Sequence, residues 1–319
     1  MKRFPKAFGA VLAAGLMLVT AAQAETRVTY KSAKTGSSYY QMGVELAEAM
    51  KAGSDGAIIV TVEESQGSVQ NVMEVRGRGA DYVFTTPPAL VGLAQRGEGP
   101  FKDKSAPQFD EIRALFPIPS LTMHFVMAGE GGVGSLAELD GKTILLGKGS
   151  FGAREGEKYL GLFGLTDRVK IADAELSNAV AALKNGQIDA FVTAGSFPAP
   201  NVVEAAASAG VRLLSLNPEQ VEATGRTRLV IPAGTYPGQD AEVVTTSLPV
   251  AAFTTTQMDA DTAYRLTKTY WEQKAAMGDS APWWNGVTPE LLAHVTTRLH
   301  PGALRYYEEA GIALSDAQK

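Results

Sequence analysis

A chain of 319 residues that is 45% hydrophobic can bury a sizeable core in two domains or lobes without covalent staples. It has no cysteine, which excludes disulfides, thiolate metal sites and dithiol redox chemistry. Its formal net charge of −5 argues against nucleic acid or an anionic membrane surface as partner, but not against a small ligand, which reads local potential.

The N-terminus carries Lys2, Arg3 and Lys6, then an apolar stretch from Ala7 to Thr20, then Ala22-Gln23-Ala24. A positive segment, an apolar core and a small-x-small site predict a secretory signal peptide over residues 1–24. The mature chain then starts at Glu25 in the periplasm and is more acidic, because the leader takes three cations and no acid with it. No cysteine follows the apolar stretch, so a lipoprotein anchor is excluded. No later segment reaches the ~18 uninterrupted apolar residues of a membrane span.

Past the leader, strand and helix patterns alternate. Val28 to Lys31 reads as a strand, Thr35-Gly36-Ser37-Ser38 as a turn, and Tyr39 to Met50 as a helix closed by Gly53. Ala57 to Glu63 is a β-branched run, Gly67-Ser68 opens a helix through Arg76, and Tyr82 to Thr86 is a strand stopped by Pro87-Pro88. This βαβαβ series predicts a parallel sheet covered by helices. A polar loop spans Phe101 to Asp110. Arg113 to Met127, interrupted by Pro117 and Pro119, reads as a strand pair or a crossing between lobes.

A second series follows. Strands are predicted at Lys142–Leu146, Val169–Ala172, Ile188–Thr193 and Arg212–Leu216, with helices at Ala153–Phe163, Leu176–Lys184 and Pro200–Ala209. Thr245 to Thr254 suits a return crossing, and Thr262–Ala276 and Pro289–Arg298 read as closing helices. The predicted organisation is a first lobe over 25–122, a second over 123–248, and a return to the first over 249–319. The fold class is α/β, with each lobe a mainly parallel sheet flanked by helices.

In open parallel sheets, ligands bind at the carboxyl ends of strands, where helix N-termini favour anions. Four turns fit that position: Thr35 to Tyr40, Ser65 to Asn71, Thr85-Thr86-Pro87, and Gly147 to Arg154. A serine at such a turn can cap the helix or bind a carboxylate, and capping is the commoner use. Arg154 falls in a first helical turn, where a cation opposes the dipole, so it is either aimed at an anion or solvated. Tyr39 shares a helix face with Met42 and Leu46 and reads as core, which leaves Tyr40 for the cleft. Trp283-Trp284-Asn285 reads as packing on the first lobe.

Two enzymatic readings compete. Gly147 to Gly152 fits G-x-G-x-x-G, and Asp173 stands about 20 residues on, as in dinucleotide sites. Ser150 misses the nucleophile elbow because Lys148 replaces the required glycine. His124, His294 and His300 are too dispersed for a metal motif, though one of them could still meet a serine in space.

Further motifs carry a family resemblance. Gly36-Ser37-Ser38-Tyr39-Tyr40-Gln41-Met42-Gly43, Gln66-Gly67-Ser68-Val69-Gln70-Asn71 and Asn185-Gly186-Gln187-Ile188-Asp189-Ala190-Phe191 run in order through the chain. So do Ala194-Gly195 to Pro200, the stretch Ile231 to Asp240, and Leu299 to Tyr307. Together they resemble the TAXI-type solute receptors of TRAP transporters, over nearly all of the mature chain. The resemblance implies a type II-like periplasmic-binding-protein clamshell that closes on its ligand. It also implies an integral membrane partner driven by an ion gradient, and no cofactor, metal or catalysis.

The chain departs from that family's pattern at Thr85-Thr86-Pro87-Pro88, where an acid is usual, and at Arg154. Both departures shift the pocket towards positive potential and predict an organic acid, a dicarboxylate or oxo acid included, rather than an amino acid. The expected ligand residues are Ser38, Tyr40, Ser68, Asn71, Thr86, Ser150, Arg154, Ser196 and Phe197, with Phe151 beside Phe197 as apolar wall. The protein is expected to be a monomer. A periplasmic sensor domain is a further alternative, as is an exported enzyme using Ser150 or a dinucleotide.

Overall fold

The computed structural model describes residues 25–35, 37–148 and 150–319. The leader at 1–24, Gly36 and Gly149 of two turns, and the side chain of Phe151 lie outside the described residues.

The predicted βα alternation is realised in order as β1 (Thr26–Lys31), α1 (Ser38–Gly53), β2 (Ile58–Glu63), α2 (Ser68–Glu74), β3 (Tyr82–Thr86) and α3 (Pro88–Arg96). Next come β4 (Ile112–Ala128), β5 (Val133–Ser135), β6 (Thr143–Leu145), α4 (Phe151–Leu162), β7 (Lys170–Ala172), α5 (Ala179–Lys184) and β8 (Ala190–Gly195). The chain closes with α6 (Pro200–Ala209), β9 (Val211–Ser215), α7 (Pro218–Thr224), β10 (Thr227–Ile231), β11 (Val243–Thr255), α8 (Ala260–Ser280) and α9 (Pro301–Glu309). Among the described residues no helix is long and apolar enough to cross a membrane.

The strand order along the main path is β2-β1-β3-β11-β4-β8-β6-β7. β2, β1 and β3 run parallel at one end, and β8, β6 and β7 run parallel at the other. Between them β4 and β11 pair antiparallel with each other over Ile112–Thr122 and Ser247–Thr255. The outer reach of β4 pairs with β8 and β9, while β11, along the edge away from β4, pairs with β10 over Val243–Ser247 and with β3 over Ala251–Phe253. Two long strands thus run through both halves of the molecule.

Prolines in β4 did not break it, although Pro117 and Pro119 supply no ladder donor. Their carbonyls are used instead. Tyr39 of α1 donates to the Pro119 carbonyl at 2.7 Å, and Tyr270 of α8 to the Pro117 carbonyl at 2.7 Å. Pro249 falls where the β11–β4 register shifts between Leu248 and Val250.

One expectation from the sequence is extended and one is corrected. Pro87-Pro88 ends β3 but also starts α3, because proline at the first helical turn gives up an amide that has no partner there. The helix expected over Pro289–Arg298 is only a 3-10 turn at Pro289–His294. The β-branched Val295-Thr296-Thr297 that follows disfavours its extension. The tryptophan pair packs on the first half, as read. Trp284 is 1% exposed, and the indole N–H groups of Trp283 and Trp284 both donate to Oε2 of Glu45 on α1, at 3.0 and 2.6 Å.

Candidate functional site

A cavity of about 420 Å³ opens between the two halves, over Leu121 of β4 and Val250 of β11. The first half contributes the Ser32–Thr35 loop, the start of α1 (Ser37, Ser38, Tyr39) and the Gln66–Ser68 turn. The second half contributes Ser150 and Gly152 at the start of α4, Thr193–Gly195 at the end of β8, and Ala199, Pro200, Asn201 and Glu204 at the start of α6. The walls are therefore the carboxyl ends of strands and the N-terminal ends of helices, where backbone amides lack partners.

The halves touch across this cavity. A Cβ built on Gly195 would lie 2.5 Å from the Ser38 hydroxyl of the other half. At the rim, Lys34 reaches over to Glu175, with Nζ 2.9 Å from its carboxylate, and donates to the carbonyl of Lys148 at 3.4 Å. An exposed pair of this kind shifts a two-state balance only about two- to fivefold. Lys34→Met and Glu175→Gln are each expected to move the ligand-free molecule towards the open form by that factor at low salt. The difference should vanish at high salt, where the pair is screened. A distance between fluorophores on the two halves reads this directly, and equal distances for all forms at both salts would remove the latch.

Of the residues singled out from the sequence, Ser38, Ser68 and Ser150 line the cavity. Ser150 does so while capping α4, its hydroxyl accepting from the Ala153 amide at 2.9 Å. The cap of α1 is Ser37, which accepts from the Tyr40 amide. Tyr40 is half-buried outside the lining, and Tyr39 combines core packing with a place on the wall.

Asn71 is fully buried beneath the wall. Its side-chain amide donates to the carbonyls of Ser32 and Thr85, each at 2.8 Å, and so ties the ends of β1 and β3 together. Thr86, Ser196 and Phe197 stand beside lining residues without lining the cavity themselves. The Thr86 and Ser196 hydroxyls and the Asn71 carbonyl oxygen are buried without a hydrogen-bond partner among the described residues. Arg154 is exposed and outside the lining. Gly152 and Gly156 turn the inner face of α4 to Ala194, Leu146 and Val192, and residue 154 lies about 200° round the helix from Gly152.

The G-x-G-x-x-G pattern has a packing explanation. Gly147 has φ +81°, and a Cβ there would stand 2.7 Å from that of Leu176. Gly152 lets α4 approach Ala194. Asp173 is engaged by Lys148 of the same turn, at 2.9 Å. No histidine lines the cavity among the described residues.

His124 is buried behind the second-half wall, and burial pushes its imidazolium down from the ordinary 6.5 to about 4. Its folded form refuses a proton that the unfolded chain accepts. The stability this contributes is complete above pH 6.5 and is lost as pH falls towards 4. The span is worth about 3 kcal/mol. His124→Gln is expected to flatten the denaturation free energy over that window, and an unchanged slope would count against a neutral, buried imidazole.

Comparison with solved structures finds the periplasmic binding protein BugD at 12% identity, covering 90% of this chain and 98% of that one, with a TM-score of 0.56. A TRAP periplasmic solute binding protein of Actinobacillus succinogenes 130z, with bound L-galactonate, overlaps more loosely. It shares 13% identity over 89% of this chain and 92% of that one, with a TM-score of 0.43. The likeness to BugD establishes the periplasmic-binding-protein fold. A model described as the NMT1-like family matches residues 31–311. The protein therefore belongs to the NMT1-like family.

Proposed function

We propose that this protein is a periplasmic solute receptor that binds a small organic anion, a carboxylate, between its halves and delivers it to a membrane transporter. One observation carries the reading. Helices α1 and α4, of 16 and 12 residues and from opposite halves, bring their N-terminal turns to one cavity. Two positive dipole ends facing a shared space favour a negative charge there. Closure on the ligand then adds contacts from the second half, so binding shifts the molecule to the closed form. The motif resemblance supports a receptor of the TAXI type, with a TRAP-type partner driven by an ion gradient. A non-catalytic role is supported by the capping of Ser150 and by the absence of histidine from the lining among the described residues.

A second reading has its own observation. The preference for an organic acid rested on a cavity without acids, yet Glu175 and Glu204 both line it. Glu175 is occupied by Lys34. The carboxylate of Glu204 makes no ion pair among the described residues and can take an α-ammonium.

Thermal stability of the mature protein, stripped of bound ligand by partial unfolding, separates the two. The panel pairs 2-oxoglutarate with glutamate, succinate with aspartate, and pyruvate with alanine. A true ligand at ~100 times its dissociation constant stabilises by roughly 2.7 kcal/mol. The oxo or organic acid of one pair should give that shift, and Arg154→Ala should leave it intact. An amino acid that wins, and loses its advantage in Glu204→Gln, establishes the second reading. No stabilisation by any carboxylate, with stabilisation by a nicotinamide dinucleotide, would overturn both.

A further inference from the structure

The stretch from Ile231 to Asp240, prominent in the sequence, contributes nothing to the cavity lining. Its tyrosine nevertheless reaches the cavity wall from behind. Tyr236 is 2% exposed, and its hydroxyl oxygen accepts from the Ala199 amide at 2.9 Å. Ala199 precedes Pro200 at the start of α6, and both line the cavity. The same hydroxyl lies 2.8 Å from Nε2 of His124, whose Nδ1 lies 3.1 Å from the Thr122 carbonyl.

Proton logic fixes the direction of this chain. A carbonyl only accepts, so Nδ1 of His124 carries the hydrogen and Nε2 is bare. The tyrosine hydroxyl must then donate to Nε2, which leaves its oxygen to accept from Ala199. Each group is used once and in one orientation. Thr122 in turn pairs with Gly195 across β4 and β8, so both ends of the relay meet lining residues of the second-half wall, Gly195 and Ala199.

The loop that carries Tyr236 is itself braced. Gln239 accepts from the Tyr236 amide at 3.1 Å, and its side-chain amide donates to the carbonyls of Pro232 at 2.9 Å and Ala241 at 2.8 Å. The Gly132 amide of the neighbouring turn donates to the Gly238 carbonyl at 3.0 Å. A short loop held on this many sides presents its hydroxyl at one place.

We infer that Tyr236, oriented by His124, is a positioning residue that sets where the start of α6 stands in the cavity wall. The inference rests on the reading of that cavity as the ligand site. Its reach into function is that the family-like loop acts on binding without touching the ligand.

The test is hydrogen exchange of the ligand-free mature protein, resolved at the Ala199 amide and compared with amides of α8. Tyr236→Phe keeps the ring and removes only the hydroxyl. It should speed exchange at Ala199 roughly three- to tenfold, the factor for one lost neutral hydrogen bond, with α8 unchanged. His124→Gln, whose side-chain carbonyl can still accept from the tyrosine, should restore most of the protection that His124→Leu loses. Uniform acceleration, in α8 as well, would reduce Tyr236 to a general stability role, and unchanged Ala199 exchange in Tyr236→Phe would overturn the relay. Because no ligand is present, failure here leaves the receptor reading standing, and failure of the carboxylate panel leaves the relay standing.

Discussion

Gly195→Val is expected to abolish ligand-dependent stabilisation while leaving the ligand-free protein folded. Gly195 ends β8, where its backbone pairs with Thr122, and valine suits a strand better than glycine does. The obstacle lies in the other half of the molecule. The first added carbon stands 2.5 Å from the Ser38 hydroxyl and 3.6 Å from its Cβ. Serine can swing its hydroxyl aside for alanine, so Gly195→Ala should weaken binding only in part. The two further carbons of valine meet Ser38 itself, at the buried first turn of α1. The halves must then stay apart, and a ligand gripped by one wall loses about 3 kcal/mol or more, a factor of ~100 in affinity. Calorimetric titration with whichever carboxylate binds the parent protein reads this. Parent-like affinity in Gly195→Val would mean that binding does not require the closed contact.

Gly302→Ala should strike folding rather than binding. Gly302 is the second residue of α9, packed against the start of α8. A Cβ there would overlap the carbonyl oxygen of Ala260 and stand 2.6 Å from the Tyr264 amide nitrogen. Both are backbone atoms of one helix and cannot rotate away. Overpacked sites cost about 1–3 kcal/mol, and a clash with fixed backbone belongs at or above the top of that range. Urea denaturation should show it as a lowered midpoint at unchanged slope. Tyr307 of α9 also donates to the Leu115 carbonyl of β4 at 2.8 Å, so a displaced α9 pulls on the central strand. A loss below ~1 kcal/mol would show that α9 can slide on α8.

What was legible in the sequence follows the range of each signal. Strands and helices of the first half were readable because apolar periodicity and glycine punctuation are local. Pro289–Arg298 misled because its apolar spacing suits a helix while its β-branched end does not. At the site, the turns were readable and the directions of side chains were not. Ser38 and Ser150 reach the cavity because each stands where a strand end meets a helix start. Tyr39 packs in the core as expected and also takes the place on the wall expected of Tyr40, because one residue of helix phase decides which ring faces inward.

Arg154 looked purposeful by its position in a first turn, but two glycines facing the sheet turn it outward. Lys34 and Glu175, 141 positions apart, left no trace in the sequence, since nothing local couples them. The unpaired oxygens of Asn71, Thr86 and Ser196 show the limit from the other side. Their polarity was legible in the sequence, but their place beside the wall and not on it is set by the fold.

The central place of β11 has a consequence for how the chain is made. It is synthesised after residue 242, yet it separates β3 from β4 in the finished sheet. Until it arrives, both of those strands present an open edge, and the earlier βα series has no partner to complete it. A nascent chain that stops short of Val243 therefore cannot mature half by half, as a string of independent domains does. Assembly waits for nearly the whole polypeptide. A protein built this way completes its sheet only when residues 243–255 take their place between β3 and β4, so its two ends mature together and not in turn.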